Sequence, residues 1–261
     1  MAPILGIIAS SKLGFTNTPP VTTNLWAWYD GSDSTTMTVS SGNISQWNNK
    51  SPASGGPNVA QSTGARQPNL ESNVQNGRSA VKFTQANLDN LSSTSQPTTG
   101  TGAFTVFIAM KTTASASVAA GLGQYPVTWG TSNAVGAGVD TFMLPTGSSD
   151  SGKLGSGYAG GTTEHTYSTN SYSGSWVIFT FTGSGSSITS SYNDTDGQSK
   201  TTSTVNISSN NEFFLGWLTN PWYSSGGYNG YLGDVLIHTS VLSSANQTSQ
   251  INWLKSKWGI S

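Results

Sequence analysis

The apolar residues of this chain fall mostly in runs of strand length, separated by segments rich in glycine, serine and asparagine. The clearest run, FTVFIAMKT at residues 104–112, is almost continuously apolar. A run of this length predicts a strand with both faces covered, as in the interior of a sandwich. The chain is therefore expected to be an all-β protein.

Other segments alternate between apolar and polar residues with the two-residue period of a strand. NLWAWYD at residues 24–30 predicts a strand that ends at an Asp30-Gly31 turn, with Trp26 and Trp28 in the core. GRSAVKFT at residues 77–84 predicts a half-buried strand. In the glycine-rich residues 114–175 the pattern is weak, and VTWGTS and DTFMLP are the strands predicted there.

The last third of the chain predicts further strands and one helix. Residues 175–194 predict two strands joined by a Gly-Ser turn, and Asp196-Gly197 is the predicted turn of a following hairpin. Near the end, Ser244 and Gln247 have the spacing of a helix-capping box. Apolar residues at helical spacing and a stop glycine then predict a short C-terminal helix; they are Ile251, Leu254, Trp258 and Gly259.

Residues 1–20 are expected to form an N-terminal arm, and residues 21–261 a single domain. The arm begins with PILGIIASS and ends at Pro19 and Pro20, which disfavour a continuing helix. The apolar stretch lacks the positively charged region that precedes the core of a signal peptide, and it is too short to span a bilayer. It is predicted to bury apolar side chains on a partner, or to add an edge strand to its own sheet; these side chains are Ile4, Leu5, Ile7 and Ile8.

Composition excludes several classes of function. Charged residues make up 8% of the 261-residue chain and the net charge is −1, so a phosphate-binding surface for nucleic acid is not expected. The chain has no cysteine, which excludes disulfides and thiolate metal sites. No apolar stretch approaches the roughly 18 residues of a membrane-spanning helix, so no membrane partner is expected.

Two blocks of sequence resemble the concanavalin A-like, laminin-G-type jelly-roll domains. The first contains LWAWYDGSDSTTMTVSSGNISQWNNKS, ARQPNL and NGRSAVKF, and the second is YNGYLGDVLIHTSVLSSANQTSQINWLKSKWGI. The resemblance covers about residues 24–260. It implies an antiparallel two-sheet β-sandwich with a short C-terminal helix. Because members of that group bind glycans, bind proteins or build particles, the resemblance does not imply one activity.

The residues do not predict an enzyme. A glycosidase needs two carboxyl groups facing each other across the bond, but Glu71, Glu164 and Glu212 are isolated in sequence. His165 and His238 lack the context of a Ser-His-Asp site, and two distant histidines make a poor zinc site. No cofactor is expected, except that Asp194 and Asp196 are weak candidates for calcium. The favoured alternative for these two aspartates is a simple hairpin.

The segment GWLTNPWYSSGGYNGY carries the candidates for binding a glycan, because flat aromatic rings beside amide groups suit the apolar faces of sugars. Trp217 lies in a strand pattern and is expected in the core. The candidates are Trp222, Tyr223, Tyr228, Asn220 and Asn229. The alternative is that this loop packs on its own sandwich or on a neighbouring subunit.

Two functions follow as expectations. The first is a non-enzymatic structural protein on the surface of a tailed-phage virion, on the capsid or the tail, because PILGIIASS resembles the opening residues of some phage structural proteins. Such a protein would contact other virion proteins through its arm and form a homo-oligomer. Host glycans are a further candidate partner. The second is a carbohydrate-binding or adhesion module of a bacterial cell-surface protein. A glycan hydrolase is the remotest alternative.

Overall fold

The computed structural model describes residues 17–53, 55–113, 124–130, 138–143, 153–158, 165–185, 187–201, 206–209, 212–217 and 227–261. In these residues the chain has seventeen β-strands and one α-helix. They are β1 (Leu25–Asp30), β2 (Met37–Ser40), β3 (Asn43–Trp47), β4 (Val59–Ala60), β5 (Asn69–Gln75), β6 (Arg78–Phe83), β7 (Leu91–Ser93), β8 (Phe104–Thr112), β9 (Gln124–Gly130), β10 (Gly138–Met143), β11 (Lys153–Tyr158), β12 (His165–Ser171), β13 (Trp176–Ser184), β14 (Ser187–Tyr192), β15 (Thr195–Thr201), β16 (Phe213–Leu215), β17 (Gly230–His238) and α1 (Ser244–Trp258).

The strands form two antiparallel layers. In the first layer the order is β15-β14-β13-β8-β17. The edge of β17 that faces away from β8 pairs with β1 along one half and with β6 along the other, and β6 pairs in turn with β5. In the second layer the order is β2-β3-β4-β7-β16-β9-β10-β11-β12. The layers join where Asn43 of β3 pairs with Asn69 of β5. The all-β sandwich of jelly-roll type predicted from the sequence is confirmed.

The main core lies between the two layers. Phe104 of β8 meets Trp129 of β9 edge to face, with ring centroids 4.9 Å apart. Tyr29 of β1 stacks on Phe213 of β16 at 6.1 Å and packs against Trp47 of β3 at 5.7 Å. These five rings are buried. Aromatic contacts across the layers therefore hold the sandwich together without any disulfide.

A second core lies on the outer face of the first layer, beneath α1. Phe107 and Ile178 point to this face, because neighbouring residues on their strands point to the main core. Ile251, Leu254 and Trp258 of α1 cover them. The predicted helix is confirmed, including the apolar face that covers the sheet.

The structure moves the start of α1 by one residue and confirms its end. The N-cap is Ser243 and not Ser244, since the Ser243 hydroxyl accepts from the backbone N–H of Asn246 at 3.3 Å. Gln247 donates to the carbonyl of Leu242 at 2.8 Å and so takes part in the same cap. At the other end Gly259 has the left-handed conformation, with φ of 62°, that ends a helix.

The predicted hairpin after residue 192 exists, but its turn is shifted. Tyr192 pairs with Thr195, so the two-residue turn is Asn193-Asp194 and not Asp196-Gly197. Asn193 and Asp194 have φ of 53° and 58°, a conformation that asparagine and aspartate adopt more readily than most residues. Asp196 lies within β15 instead.

Candidate functional site

Acidic side chains meet where β1, β17 and α1 cross. Asp30 and Asp234 are paired residues on β1 and β17, and both are buried. The Lys257 ammonium of α1 lies between them, 2.7 Å from Asp30 Oδ1 and 2.9 Å from Asp234 Oδ1. The indole N–H groups of Trp28 and Trp258 donate to the two oxygens of Asp234 at 2.8 and 2.6 Å. Every one of these charged groups is therefore engaged inside the protein.

Lys50 extends this cluster to the surface. Its ammonium lies 2.9 Å from Asp30 Oδ2, 2.7 Å from Asp33 Oδ2 and 4.3 Å from the ring centroid of Trp28. Burial acts to raise the pKa of Asp30, but the charge and hydrogen bond of Lys257 prevail and lower it to about 2. We call Asp30, Asp33, Lys50, Asp234 and Lys257 the ionic network. It fixes α1 to the first layer.

A second group of polar and aromatic side chains is accessible, on the outer face of the first layer beside α1. Cross-strand pairing places one residue from each of five neighbouring strands in a line across the sheet. Each of the five is partly exposed. We call these residues the outer row; from β13 to β5 they are Trp176, Lys111, Tyr231, Lys82 and Asn69.

Hydrogen bonds hold Tyr231, the middle residue of the outer row, in place. The Tyr231 hydroxyl donates to Glu71 Oε2 at 2.8 Å, and Lys82 binds Glu71 Oε1 at 2.8 Å. Partial burial acts to raise the pKa of Glu71, but the hydrogen bonds from Lys82 and Tyr231 lower it overall. The hydrogen bond to Glu71 raises the pKa of Lys82. At neutral pH, Glu71 and Lys82 therefore form an ion pair that orients the Tyr231 ring.

Stacking fixes the Trp176 end. The indole of Trp176 lies parallel to that of Trp258, with centroids 5.1 Å apart and an angle of 9° between the planes. Trp258 can lie flat on β17 because Gly233 has no side chain; a Cβ there would be 2.5 Å from the indole. The centroids of Trp176 and Tyr231 are 6.4 Å apart. The outer row thus presents two fixed rings: Trp176 is stacked on Trp258, and Tyr231 is hydrogen-bonded to Glu71.

Lys111 lies between these two aromatic residues in the pairing order. Its strand neighbours Met110 and Thr112 are buried, and strand alternation directs the Lys111 side chain to the outer face. Within the part of the chain that the structure describes, Lys111 makes no ion pair. The outer row therefore contains, beside two rings, a cation that has no ion-pair partner among the described residues.

The structure changes the view of the aromatic loop predicted as a glycan site. Asn220, Trp222 and Tyr223 lie outside the described residues. Tyr228 is fully buried against Phe83, and its hydroxyl donates to the carbonyls of Lys111 and Tyr231 at 3.0 and 3.2 Å. Tyr228 was predicted as a glycan-binding candidate, but its ring belongs to the core below the outer row and cannot contact a sugar at the surface.

Asn229, the other described candidate from that loop, makes hydrogen bonds just before β17 begins. Its amide donates to the Thr113 hydroxyl at 2.6 Å, and its backbone N–H donates to Gln124 Oε1 at 3.1 Å. Its backbone carbonyl accepts from the N–H of Thr113 at 2.9 Å. These contacts join the ends of β8 and β17 and engage one N–H of the Asn229 side-chain amide.

The two calcium candidates are used in other ways. Asp196 accepts from the backbone N–H groups of Thr169 and Asn170 at 2.9 and 3.0 Å, which ties β15 to β12. Although burial opposes them, these hydrogen bonds lower the pKa of Asp196 to about 2. Asp194 is exposed in the turn. No group of three His, Asp or Glu side chains placed to hold a metal ion occurs in the described ranges.

The arm residues Ile4, Leu5, Ile7 and Ile8 lie outside the described residues. The chain is anchored where the predicted arm ends, since Pro19 is buried and Val21 joins the core beneath α1. Within the described part, α1 and the shorter helical turns lack the length and apolarity that a membrane span requires.

Asp89 is a buried acid that belongs neither to the ionic network nor to the outer row. The backbone N–H of Thr84 donates to Asp89 Oδ2 at 2.8 Å, while Oδ1 has no hydrogen-bond partner among the described residues. Burial raises the pKa of Asp89 from 3.8 to about 6 despite that hydrogen bond. Because the folded pKa is the higher one, ionised Asp89 destabilises the fold above pH 6, and this penalty is lost as the pH falls from 6 to 4.

Asp89→Asn is therefore expected to raise the free energy of unfolding at pH 7.5 by about 1–2 kcal/mol. The difference from the wild type should vanish near pH 4. Urea unfolding at several pH values measures it, with Asp194→Asn, an exposed aspartate, as the control. A D89N variant that is less stable than the wild type at pH 7.5 would show that the carboxylate is better satisfied than its contacts indicate.

No protein-family model matches the chain, and no curated protein matches its sequence. Among solved structures, it is similar to a GH54 α-L-arabinofuranosidase, with a TM-score of 0.57, 14% identity, and coverage of 91% of this chain and 60% of that one. It is also similar to the binding domain of Paraclostridial Mosquitocidal Protein 1, with a TM-score of 0.52, 13% identity, and coverage of 88% and 52%.

A NanB sialidase from Streptococcus pneumoniae matches with a TM-score of 0.48 and 15% identity, over 65% of this chain and 27% of the sialidase. The chain thus spans between about a quarter and 60% of the length of these three structures. At such low identity, the two likenesses above a TM-score of 0.5 establish the β-sandwich fold and no more.

Proposed function

We propose that this protein is a carbohydrate-binding module whose contact surface is the outer row. The observation that carries the proposal is the pair of partly exposed rings, Trp176 and Tyr231, held on a sheet face among charged and amide side chains. Sugars have apolar C–H faces and many hydroxyl groups, so rings flanked by hydrogen-bonding groups suit them. Neither ring needs to reorganise on binding, since Trp258 and Glu71 already hold them.

We also propose that the module binds without catalysis. A glycosidase needs two carboxyl groups that reach the glycosidic bond. Asp30 and Asp234 face each other, but both are buried and bound by Lys257. Glu71, in contact with the outer row, is held by Lys82 and Tyr231. These contacts leave the acids of both groups engaged, which supports a binding role.

Tyr231→Ala is expected to lower affinity for a bound polysaccharide by about tenfold, because it removes one ring face. Tyr231→Phe keeps the ring, removes the hydrogen bond to Glu71, and should change affinity by less than about threefold. Binding is measured on a panel of immobilised polysaccharides, and thermal unfolding confirms that both variants fold. If Trp222→Ala with Tyr223→Ala abolishes binding and Tyr231→Ala does not, the contact lies in residues 218–226 and not in the outer row.

The virion-surface role predicted from the sequence stays a prediction. It depends on the arm, whose apolar residues lie outside the described part of the chain. A carbohydrate-binding domain is compatible with that location, since a virion protein can also contact host glycans. The geometry of the outer row supports carbohydrate binding and gives no support to a virion location.

A further inference from the structure

We propose that the sugar bound at the outer row is anionic, bearing a carboxylate or a sulfate that pairs with Lys111. This inference rests on the proposed function and names the chemical class of its ligand. It starts from Lys111, the outer-row cation without an ion-pair partner in the described residues.

The two lysines of the outer row differ in what they can do for a ligand. Lys82 is neutralised by Glu71 at 2.8 Å, and that pair orients Tyr231. Lys111 is the next row position on the other side of Tyr231, and its charge is not compensated in this way. An anionic group placed over Lys111 would form a charge-assisted contact without breaking any existing ion pair.

The surrounding charge also favours an anion. Arg78, Lys82 and Lys111 belong to strands β6 and β8 of the first layer, and Glu71 is the acid paired across the sheet beside them. Strand alternation places these four side chains on the outer face. These four side chains carry a net charge of +2, and the ionic network beneath α1, with three aspartates and two lysines, contributes −1, so this face keeps a net positive charge although the whole chain has a net charge of −1. A neutral sugar would gain little from that excess.

The order of residues along the row fits an acidic sugar. Lys111 stands between Trp176 and Tyr231 in the pairing order, one strand from each. Adjacent strands are about 4.8 Å apart, so the five-strand row extends over about 19 Å. A short run of pyranose rings can lie along it, with C–H faces on the aromatic rings and an acidic substituent toward Lys111.

Matched pairs of polysaccharides test this inference on the full chain. Polygalacturonate is compared with its methyl ester, and dextran sulfate with dextran, so that each pair differs in its charge. We expect the wild type to prefer at least one anionic member by about tenfold or more, and to lose affinity as salt is raised from 50 to 500 mM. A carboxylate ligand should also lose affinity below about pH 4, whereas a sulfate ligand should not, which separates the two sources.

Lys111→Ala should lower affinity for the anionic member by about tenfold and leave the neutral one unchanged. Lys153→Ala, which removes the same charge from β11 of the other layer, is the control and should have no effect. Equal binding of the neutral and anionic members, or no loss in Lys111→Ala, would overturn the inference but leave the proposed function intact. Binding to none of the polysaccharides, neutral or anionic, would overturn both.

Discussion

Replacing Lys257 with alanine is expected to reduce the free energy of unfolding by about 3–5 kcal/mol, because it leaves Asp30 and Asp234 buried without their shared cation. Lys257 is almost completely buried, within 5.2 Å of the ring centroid of Trp253 and 5.8 Å of that of Trp28. Equilibrium unfolding in urea measures the loss.

Lys255→Ala is the matched control, because Lys255 is on the same helix, is partly exposed and makes no ion pair in the described residues. Its effect should be below about 0.5 kcal/mol. The ionic network also sets an acid limit. The pKa of Asp30 is lowered to about 2, so its stabilising contribution is complete above pH 4 and is lost as the pH falls toward 2. A Lys257→Ala variant as stable as the control would contradict the role given to the network.

Gly31→Ala is expected to destabilise the fold by about 3 kcal/mol, at the upper end of the usual range for overpacking. A Cβ at Gly31 would lie 2.4 Å from the carbonyl oxygen of Gly233 and 2.8 Å from that of Leu232. These are backbone atoms of the central strand β17, and the Gly31 N–H already donates to the Gly233 carbonyl at 2.6 Å. The strands must separate beside the ionic network to accept one methyl group.

Gly64→Ala provides the comparison, since a Cβ there meets no atom within 4 Å and Gly64 does not have a positive φ. It should be neutral or slightly stabilising. Thermal unfolding of both variants distinguishes a steric effect at Gly31 from a general effect of replacing glycine. Equal melting temperatures for the two variants would show that β1 and β17 can shift apart at no cost.

The fold was largely predictable because its signals are local. The apolar run of β8 and the alternation of β1 and β6 each need a few consecutive residues, and the structure places a strand at each. The C-terminal helix was predictable from the spacing of its buried residues and from Gly259. The hairpin turn was misplaced because Asn193-Asp194 and Asp196-Gly197 both suit turns, and strand pairing decides between them.

The ionic network was not predictable in this way, because its parts are far apart in sequence. Trp28 and Asp234 are separated by 206 positions, and Asp30 and Lys257 by 227. Asp30 and Asp234 stand next to glycines, which suggests exposed turns. The available signal was that Asp234 interrupts an apolar strand, GYLGDVLIH, where a charge requires a partner.

The outer row depends on register between distant strands. Alternation alone could place Lys82 and Lys111 on one face of their strands, but not beside Tyr231. Trp176 read as the start of an apolar strand, and nothing local shows that it stacks on Trp258. The aromatic loop attracted the prediction because its rings are close in sequence, yet Tyr228 of that loop is in the core.

Chemical-shift mapping tests the location of the sugar site most directly. Backbone amide spectra of the labelled protein are recorded during titration with an oligosaccharide cut from the best-bound polysaccharide. We predict that the largest shifts cluster at Asn69, Lys82, Lys111, Trp176 and Tyr231, and that Tyr231→Ala needs about tenfold more ligand to produce them. Shifts confined to residues 218–226, with the outer row unperturbed, would contradict the account.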